Sequence, residues 1–254
     1  MGGRSLTEPQ FAHEYEDRGA RAVYSALLEI GQVLGAFRDR FVVIGGAVPW
    51  LQFPNAEPAH VGTLDIDLSL DAEALGEGEY KTLVDCLIDA GYHRGREESP
   101  FFQLQRLVSV DDGEPVVVIL DLLMPREARF TKNKPPLIAN FAVQKADGAA
   151  VAMRSYTETD LKGTMPDGRS NELKVRVASI PALLVMKGYA LCQRNKQKDA
   201  YDIYYSVRQF EGGPQARAEA RRPALDLSLD AHRAAHVGGV AAQKRSKCDV
   251  SPVM

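Results

Sequence analysis

Residues 41–71, FVVIGGAVPWLQFPNAEPAHVGTLDIDLSLD, decide the fold that this sequence predicts. An apolar run at 41–44 is typical of a buried strand, and it ends in the glycine pair 45–46, which predicts a tight turn. A short helix is expected to begin at Ala47 and to lead into a proline-containing loop. At 63–70, β-prone residues alternate with polar ones, and this predicts a second strand with one polar face.

The second strand places two carboxylates, those of Asp65 and Asp67, on the same face. Side by side they repel each other, and the arrangement is costly unless a cation lies between them. Hard divalent cations such as Mg²⁺ take oxygen ligands of this kind. Glycines at 45–46 would let backbone N–H groups approach phosphate oxygens. A phosphate-binding turn followed by a metal-binding strand is the layout of a nucleotidyl-transfer site, and two exposed aspartates on an edge strand are the alternative.

Asp121 is the third informative carboxylate, because it interrupts the apolar run 116–124, VVVILDLLM. Such a run predicts a strand that is buried on both faces, where an unpaired acid would be costly. On a neighbouring strand Asp121 would complete a two-metal site. One ion would then activate the attacking hydroxyl, and the other would hold the triphosphate and the leaving pyrophosphate. Alternatively, Asp121 ends its strand and caps the following turn.

A basic cluster lies in residues 186–202, MKGYALCQRNKQKDAYD. On one continuous helix, four of its charged residues would share a face: Lys187, Arg194, Lys198 and Asp202. The sequence also allows two helices, one from about 181 to 190 and one from 199 to 208. A face of this kind suits the phosphates of an NTP, whose charge it would neutralise. A solvated helix surface is the alternative.

The whole pattern predicts an α/β (α+β) fold, in which a small mixed sheet flanked by helices is followed by a helical C-terminal region. Further helices are predicted at 18–37 and 79–90, and further strands at 101–110, 150–154 and 173–177. Residues 111–113 predict a hairpin turn, and the chain at 126–150 is predicted to be irregular. The predicted organisation is a polar lead-in at 1–17, a core domain at 18–178, a helical region at 179–212 and a poorly defined tail at 213–254.

Composition narrows the class of protein. With 45% hydrophobic and 26% charged residues the chain is an ordinary folded protein, and a net charge of −3 argues against one that coats nucleic acid. The N-terminal residues are polar and lack the apolar region of a signal peptide. No apolar run approaches the length of a membrane span. We therefore expect a cytoplasmic protein without a membrane partner.

Three motifs together carry a resemblance to a known family: GGA at 45–47, TLDID at 63–67, and K-x6-R-x3-KD-x2-D at 187–202. The combination resembles the AbiEii/AbiGii-type toxin branch of the nucleotidyltransferase superfamily, whose catalytic core is similar to that of DNA polymerase β. The resemblance covers roughly residues 20–210 and implies the nucleotidyltransferase core fold.

The resemblance implies roles for individual residues. The Mg²⁺ ligands would be Asp65, Asp67 and, by its placement on a later strand, Asp121. The nucleotide phosphates would be bound by Gly45, Gly46, Thr63, Lys187, Arg194 and Lys198. Asp199 would be the acid of the family's Lys/Arg-Asp pair, which is needed for activity, and Asp202 would support the helix.

The resemblance also implies an activity and partners. The enzyme would move a nucleoside monophosphate from an NTP to an RNA acceptor, most often the 3′ end of a tRNA, and a cognate antitoxin would restrain it. Basic residues that could meet the RNA backbone are Arg169, Lys174, Arg176, Lys196 and Arg208. The alternatives are a small-molecule acceptor such as an aminoglycoside, a protein side chain, or a non-catalytic binding module. An acidic wall beyond the metal site would suit a cationic antibiotic, whereas a basic groove would suit RNA.

Overall fold

The structure of the chain is a computed structural model. It describes residues 17–71, 73–75, 77–95, 99–110, 113–128 and 143–210. The α-helices of this part of the chain are α1 (Asp17–Val33), α2 (Ala47–Gln52), α3 (Glu77–Asp89), α4 (Ala149–Arg154), α5 (Ile180–Gln193) and α6 (Gln197–Gln209), and a short 3₁₀ helix follows α1 at Gly35–Phe37. Its strands are β1 (Phe41–Ile44), β2 (Asp65–Leu70), β3 (Gln103–Val108), β4 (Val116–Pro125), β5 (Gln144–Ala146), β6 (Tyr156–Thr164) and β7 (Ser170–Ala178).

The seven strands that the structure describes form one mixed sheet in the order β3-β4-β2-β1-β7-β6, and β5 also pairs with β4. The pairs β1–β2, β3–β4 and β6–β7 are antiparallel, whereas β2–β4, β1–β7 and β4–β5 are parallel. Helices flank the sheet. The predicted fold class, a mixed sheet flanked by helices, is therefore confirmed.

The central strands divide the sheet into an apolar face and a polar face. On β2, Ile66 and Leu68 are fully buried, and the neighbouring Leu64 touches Gly19 of α1. The helix α1 therefore packs on the leucine face of the sheet. The carboxylates of Asp65 and Asp67 point to the opposite face, because alternate residues of a strand do so.

Most elements that the sequence predicts are present. The helix predicted at 79–90 is α3, and the chain leaves it at Gly91 with φ +94°, in the left-handed conformation that favours glycine after a helix. The antiparallel pairing of β3 and β4 agrees with the predicted hairpin, whose turn residues 111–112 lie outside the described residues. The predicted lead-in before Asp17 and the predicted tail also lie outside them, and the division into domains stays a prediction.

Three predictions of secondary structure and burial are wrong. Residues 150–154 belong to the helix α4, not to a strand, because their alanine-rich sequence favours a helix and Tyr156 then begins a strand. The region 126–150, predicted as irregular, contains β5. The strand β4 is buried on one face only: Val118, Leu120, Leu122 and Met124 are fully buried, and the residues between them are partly exposed. The half-exposed face of β4 borders a cavity.

No helix in the part of the chain that the structure describes is both long and apolar enough to cross a membrane.

Removing a side chain from the leucine face tests the position of the core. Leu68 is 0% exposed on a central strand, and we expect Leu68→Ala to lower the free energy of unfolding by about 2–5 kcal/mol. Leu107, 52% exposed on β3, is the control, and Leu107→Ala should change it by no more than about 0.5 kcal/mol. Urea denaturation measures both. Equal effects would contradict the burial of β2.

Candidate active site

Three carboxylates meet on the polar face of the sheet. Asp67 on β2 lies directly opposite Asp121 on the parallel strand β4, and Asp65 is two residues earlier on the same face of β2. All three side chains line one cavity of about 360 Å³. The structure therefore brings together the three residues that the sequence predicts as metal ligands.

The electrostatics of this trio favour a cation. Burial, together with the carboxylates of Asp65 and Asp121, raises the pKa of Asp67 well above its usual value. Burial and Asp65 raise the pKa of Asp121 to about 7. One oxygen of Asp121, Oδ1, is buried with no hydrogen-bond partner among the described residues. A positive ion would remove the repulsion and satisfy that oxygen.

The donor set fits a hard cation, but it is not an assembled coordination shell. Among the described residues, no group of three or more His, Cys, Asp or Glu side chains has the geometry of a metal centre. The hydroxyl of Thr63 donates a hydrogen bond to Oδ1 of Asp65. One of the carboxylates is thus turned towards a neighbour. Carboxylate oxygens are nevertheless the ligands that Mg²⁺ prefers, and Oδ1 of Asp121 has no hydrogen-bond partner among the described residues. The three residues therefore suit that ion.

The glycine turn borders the carboxylates so closely that it has no room for a side chain. Gly45 has φ +72°, and a Cβ on it would lie 1.8 Å from Oδ2 of Asp67. A Cβ on Gly46 would lie 2.9 Å from Oγ1 of Thr63 and 3.5 Å from Nζ of Lys198. Gly46, Thr63 and Lys198 all line the 360 Å³ cavity. The turn therefore exposes backbone to this cavity, close to an ammonium group.

The basic cluster is built by two helices. The helix α5 ends at Gln193 and α6 begins at Gln197. Of the two arrangements that the sequence left open, two helices is therefore the correct one, and the four charged residues do not share the face of one continuous helix. The turn between them brings α6 back against α5. Nζ of Lys187 lies 2.6 Å from Oδ1 of Asp199 and 2.8 Å from Oδ2 of Asp202. The charged residues meet across the two helices, not along one.

The two acids of the cluster are completely buried, and each is bound by two cations. Asp199 also accepts hydrogen bonds from Nε and Nη2 of Arg194, and Oδ1 of Asp202 lies 2.6 Å from Nζ of Lys198. Burial alone would lower the pKa of Lys187, but the carboxylates of Asp202 and Asp199 outweigh it and raise that pKa. The ammonium of Lys187 is therefore positively charged at neutral pH.

This packing bears on the roles implied for the cluster. Lys187, Arg194 and Lys198 line the 360 Å³ cavity, where phosphate contact is geometrically available to them. Asp199 is not among the residues that line it, and both of its carboxylate oxygens bind cations. The described contacts make Asp199 an anchor for Lys187 and Arg194, and its direct part in catalysis stays a prediction.

A second cavity of about 250 Å³ begins where the first one ends. The two share five lining residues: Asp67, Phe102, Asp121, Lys187 and Arg194. The second cavity adds Arg126, Lys145 and Asp147, and Arg126 forms an ion pair with Asp147. The carboxylates of Asp67 and Asp121 therefore lie at the junction of two compartments, an arrangement that can serve a reaction between two substrates.

Sequence reasoning missed His60, which lies in the loop before β2. Its Nε2 is 3.0 Å from Oδ1 of Asp202, and both side chains are 0% exposed. The signal was weak, since this histidine is one of five and no motif contains it. Only the return of α6 towards this loop makes it part of the site.

Of the five basic residues suggested for contact with RNA, one lines a cavity of the site described above. Lys196 lines the 360 Å³ cavity. Three others lie on or next to the β6–β7 hairpin and are paired with acids: Arg169 with Asp167, Lys174 with Asp160, and Arg176 with Asp39. Arg208 donates a hydrogen bond to the hydroxyl of Tyr204. The hairpin residues therefore form acid–base pairs, and Lys196 is the member of the set that faces the cavity.

No family model matches the chain, and no curated protein matches it. Among solved structures, the chain is similar to the solution structure of the antibiotic-resistance factor ANT(2'')-Ia, at 13% sequence identity and a TM-score of 0.37. The similarity covers 84% of this chain and 98% of that one. At this level the likeness carries no argument about activity, and the resemblance to the AbiEii/AbiGii branch stays a prediction.

The fit of the glycine turn can be tested by adding one methyl group. Gly45→Ala places a Cβ against Asp67, whereas a Cβ added to Gly168, which has φ +83°, would meet nothing within 4 Å. Gly168→Ala is thus the matched control, which carries only the cost of the left-handed backbone, about 1–2 kcal/mol. We expect Gly45→Ala to lower the free energy of unfolding by clearly more than Gly168→Ala in urea denaturation. Equal losses would mean that Asp67 does not lie against Gly45.

The buried ion pairs give a second test. Lys198–Asp202 and Lys81–Asp85 are both i, i+4 pairs, but only the second is exposed, at 61% and 44%. We expect Asp202→Asn to lower the free energy of unfolding by about 3–5 kcal/mol, because it leaves two buried ammonium groups short of a partner. Asp85→Asn should cost about 0.5 kcal/mol or less.

The cost of Asp202→Asn in free energy of unfolding should depend on pH, because the pKa of Asp202 is shifted in the folded protein. Burial alone would raise the pKa of Asp202, but the hydrogen bond from His60 and the charges of Lys187 and Lys198 lower it below its usual value. Its contribution is therefore fully present above the unfolded-state pKa and is lost as pH falls below about 4. The gap between wild type and Asp202→Asn, measured by chemical denaturation, should shrink over that range. A gap that grows on acidification would contradict the ion pairing.

Proposed function

We propose that this protein is a Mg²⁺-dependent nucleotidyltransferase, which moves a nucleoside monophosphate from an NTP to an acceptor hydroxyl. One observation carries the proposal: Asp65, Asp67 and Asp121 converge on one cavity beside a glycine turn, and Asp67 and Asp121 also border a second cavity that adjoins it. A non-catalytic module would not need a third carboxylate, yet Asp121 is in register with Asp67.

The metal would be held by the carboxylates of Asp65, Asp67 and Asp121. Bound there, Mg²⁺ would lower the pKa of the attacking hydroxyl and neutralise charge on the leaving pyrophosphate. Two observations support a cation here. One buried oxygen of Asp121 has no hydrogen-bond partner among the described residues, and the pKa of Asp67 is raised. A bound cation would give that oxygen a partner and reduce the repulsion between the carboxylates.

The 360 Å³ cavity suits the triphosphate. Gly46 exposes backbone to it, and Lys196 and Lys198 provide positive charge on its wall. Lys187, whose ammonium lies between two acids, supplies a fixed charge at the junction with the second cavity. Fixed cations next to the reacting phosphate stabilise the charge that develops during transfer.

The reaction is a substitution at phosphorus. The oxygen of the acceptor hydroxyl forms a bond to the α-phosphorus, and the bond from that phosphorus to the oxygen bridging the β-phosphate breaks. Pyrophosphate leaves with the electron pair, and a carboxylate of the trio takes the hydroxyl proton. The two cavities meet at Asp67 and Asp121, and an NTP in one and an acceptor in the other would lie within reach of each other, which is the positioning that such a step needs.

We propose RNA, with the 3′ end of a tRNA as the leading candidate, as the acceptor. The support is the charge of the second cavity: besides Asp67 and Asp121 it is lined by four cations and one acid, Arg126, Lys145, Lys187, Arg194 and Asp147, so that cations outnumber acids by four to three. This is not the acidic wall that a cationic aminoglycoside would need, and it suits a polyanion. A small-molecule or protein acceptor, the toxin role and an antitoxin partner stay predictions.

Transfer can be measured with the purified protein, Mg²⁺, total tRNA and each α-³²P-labelled NTP in turn. We expect label on tRNA with wild type and with Asp160→Ala, a carboxylate on β6 that lies outside both cavities. Asp65→Ala should give no label, although it should fold normally, because it removes one of several repelling carboxylates.

Either of two results would count against the proposal. A fully active Asp65→Ala variant would exclude the carboxylate trio as the metal site. A wild-type protein that binds NTP and Mg²⁺ but labels no RNA would move the acceptor to a small molecule or a protein side chain.

A further inference from the structure

We propose that His60 is a positioning residue: it fixes Asp202, and through Asp202 it holds the ammonium group of Lys198 at the glycine turn. The inference rests on the proposed function, because it assigns to this histidine the alignment of the triphosphate-binding cations. His60 itself touches neither the carboxylate trio nor the 360 Å³ cavity.

Both ring nitrogens of His60 are engaged, and their partners fix its state. The backbone N–H of Gly62 donates to Nδ1 at 3.1 Å, so Nδ1 presents a lone pair. The proton of the neutral ring is therefore on Nε2, which donates to Oδ1 of Asp202 at 3.0 Å. Burial lowers the pKa of His60, against the opposing effect of Asp202, and so favours this neutral form. A neutral donor orients the carboxylate without adding a third buried positive charge.

The helix α6 holds the His60 loop through two tyrosines as well. The ring of His60 packs on Tyr201 and Tyr205, with centroid distances of 5.2 Å and 4.9 Å. The hydroxyl of Tyr205 donates to the carbonyl of Pro58 at 3.1 Å, and the N–H of Val61 donates to the hydroxyl of Tyr201 at 3.3 Å. The loop that leads into β2 is thus attached to the helix that carries Lys198.

Asp202 connects His60 to the cations Lys187 and Lys198. Its Oδ1 accepts from both His60 and Lys198, and its Oδ2 lies 2.8 Å from Nζ of Lys187. The ammonium of Lys198 lies 3.5 Å from the point where a Cβ on Gly46 would be. The contacts therefore run from His60 through Asp202 and Lys198 to the glycine turn. Without the histidine, the buried carboxylate loses one of the donors that define its orientation.

Two amide substitutions separate positioning from packing. In His60→Gln the side-chain amide reaches the position of Nε2 and can donate to Asp202. In His60→Asn the shorter amide reaches only the position of Nδ1, near Gly62. Both variants lose the same ring contacts with Tyr201 and Tyr205, so they share any loss of packing. His60→Phe is the third variant, which keeps a ring between the tyrosines and removes both hydrogen bonds.

Binding of Mg²⁺-NTP and of inorganic tripolyphosphate, measured by calorimetry, is the readout, with thermal unfolding of each variant alongside. We expect His60→Asn and His60→Phe to bind tripolyphosphate about tenfold more weakly than wild type, the size expected from one hydrogen bond to a charged group. His60→Gln should bind close to the wild-type value. In turnover the same order should appear in KM for the NTP, with kcat affected less.

The outcomes distinguish the two proposals. If wild type binds triphosphate and the three variants bind it equally well, the positioning role is wrong, while the proposed function stands. If Asn and Gln weaken binding equally, in proportion to their lowered thermal stability, His60 is a packing residue only. A wild-type protein that binds neither NTP nor tripolyphosphate would overturn the proposed function and the positioning role together.

Discussion

Repulsion among three carboxylates on one face of two parallel strands is the constraint on which the site depends. Asp67 and Asp121 lie opposite each other in the sheet. Burial and the charge of Asp65 raise the pKa of both, and Asp121 adds to the rise at Asp67. A fold built for stability alone would not keep three acids there. The neighbouring features all relate to this charge: Gly45 leaves room for a carboxylate oxygen, and Lys187, Arg194 and Lys198 line the same cavity.

The cations in turn need their own partners, and this explains the second layer of acids. Lys187 and Lys198 are almost completely buried, and a buried ammonium without a carboxylate would lose its proton or destabilise the fold. Asp199 and Asp202 on α6 supply those carboxylates. Buried ion pairs of this kind contribute little net stability, since desolvation offsets their attraction. Their consequence is geometric: they fix where positive charge stands relative to the carboxylate trio.

The sequence predicted local features well and distant ones poorly. The strand at 41–44, the glycine turn and the strand carrying Asp65 follow from apolar patterning and turn chemistry, which act over a few residues. That Asp121 lies opposite Asp67 depends on the register of two strands about fifty residues apart, which no local pattern encodes. The prediction that β4 is buried on both faces failed because apolar residues such as Leu123 also line a cavity.

The same distinction explains the basic cluster and His60. Charge spacing predicted that Lys187, Lys198 and Asp202 lie together but left open whether one helix or two carry them, because the break after Gln193 contains no proline or glycine. His60 joins the site only after α6 folds back, so its role depends on tertiary structure alone. Once α6 is known to fold back, one requirement explains the whole arrangement: each set of charges needs the opposite charge beside it. Acids on the sheet need a cation, the cations on α5 and α6 need acids, and the loop before β2 must be held to α6 if the two sets are to keep their spacing.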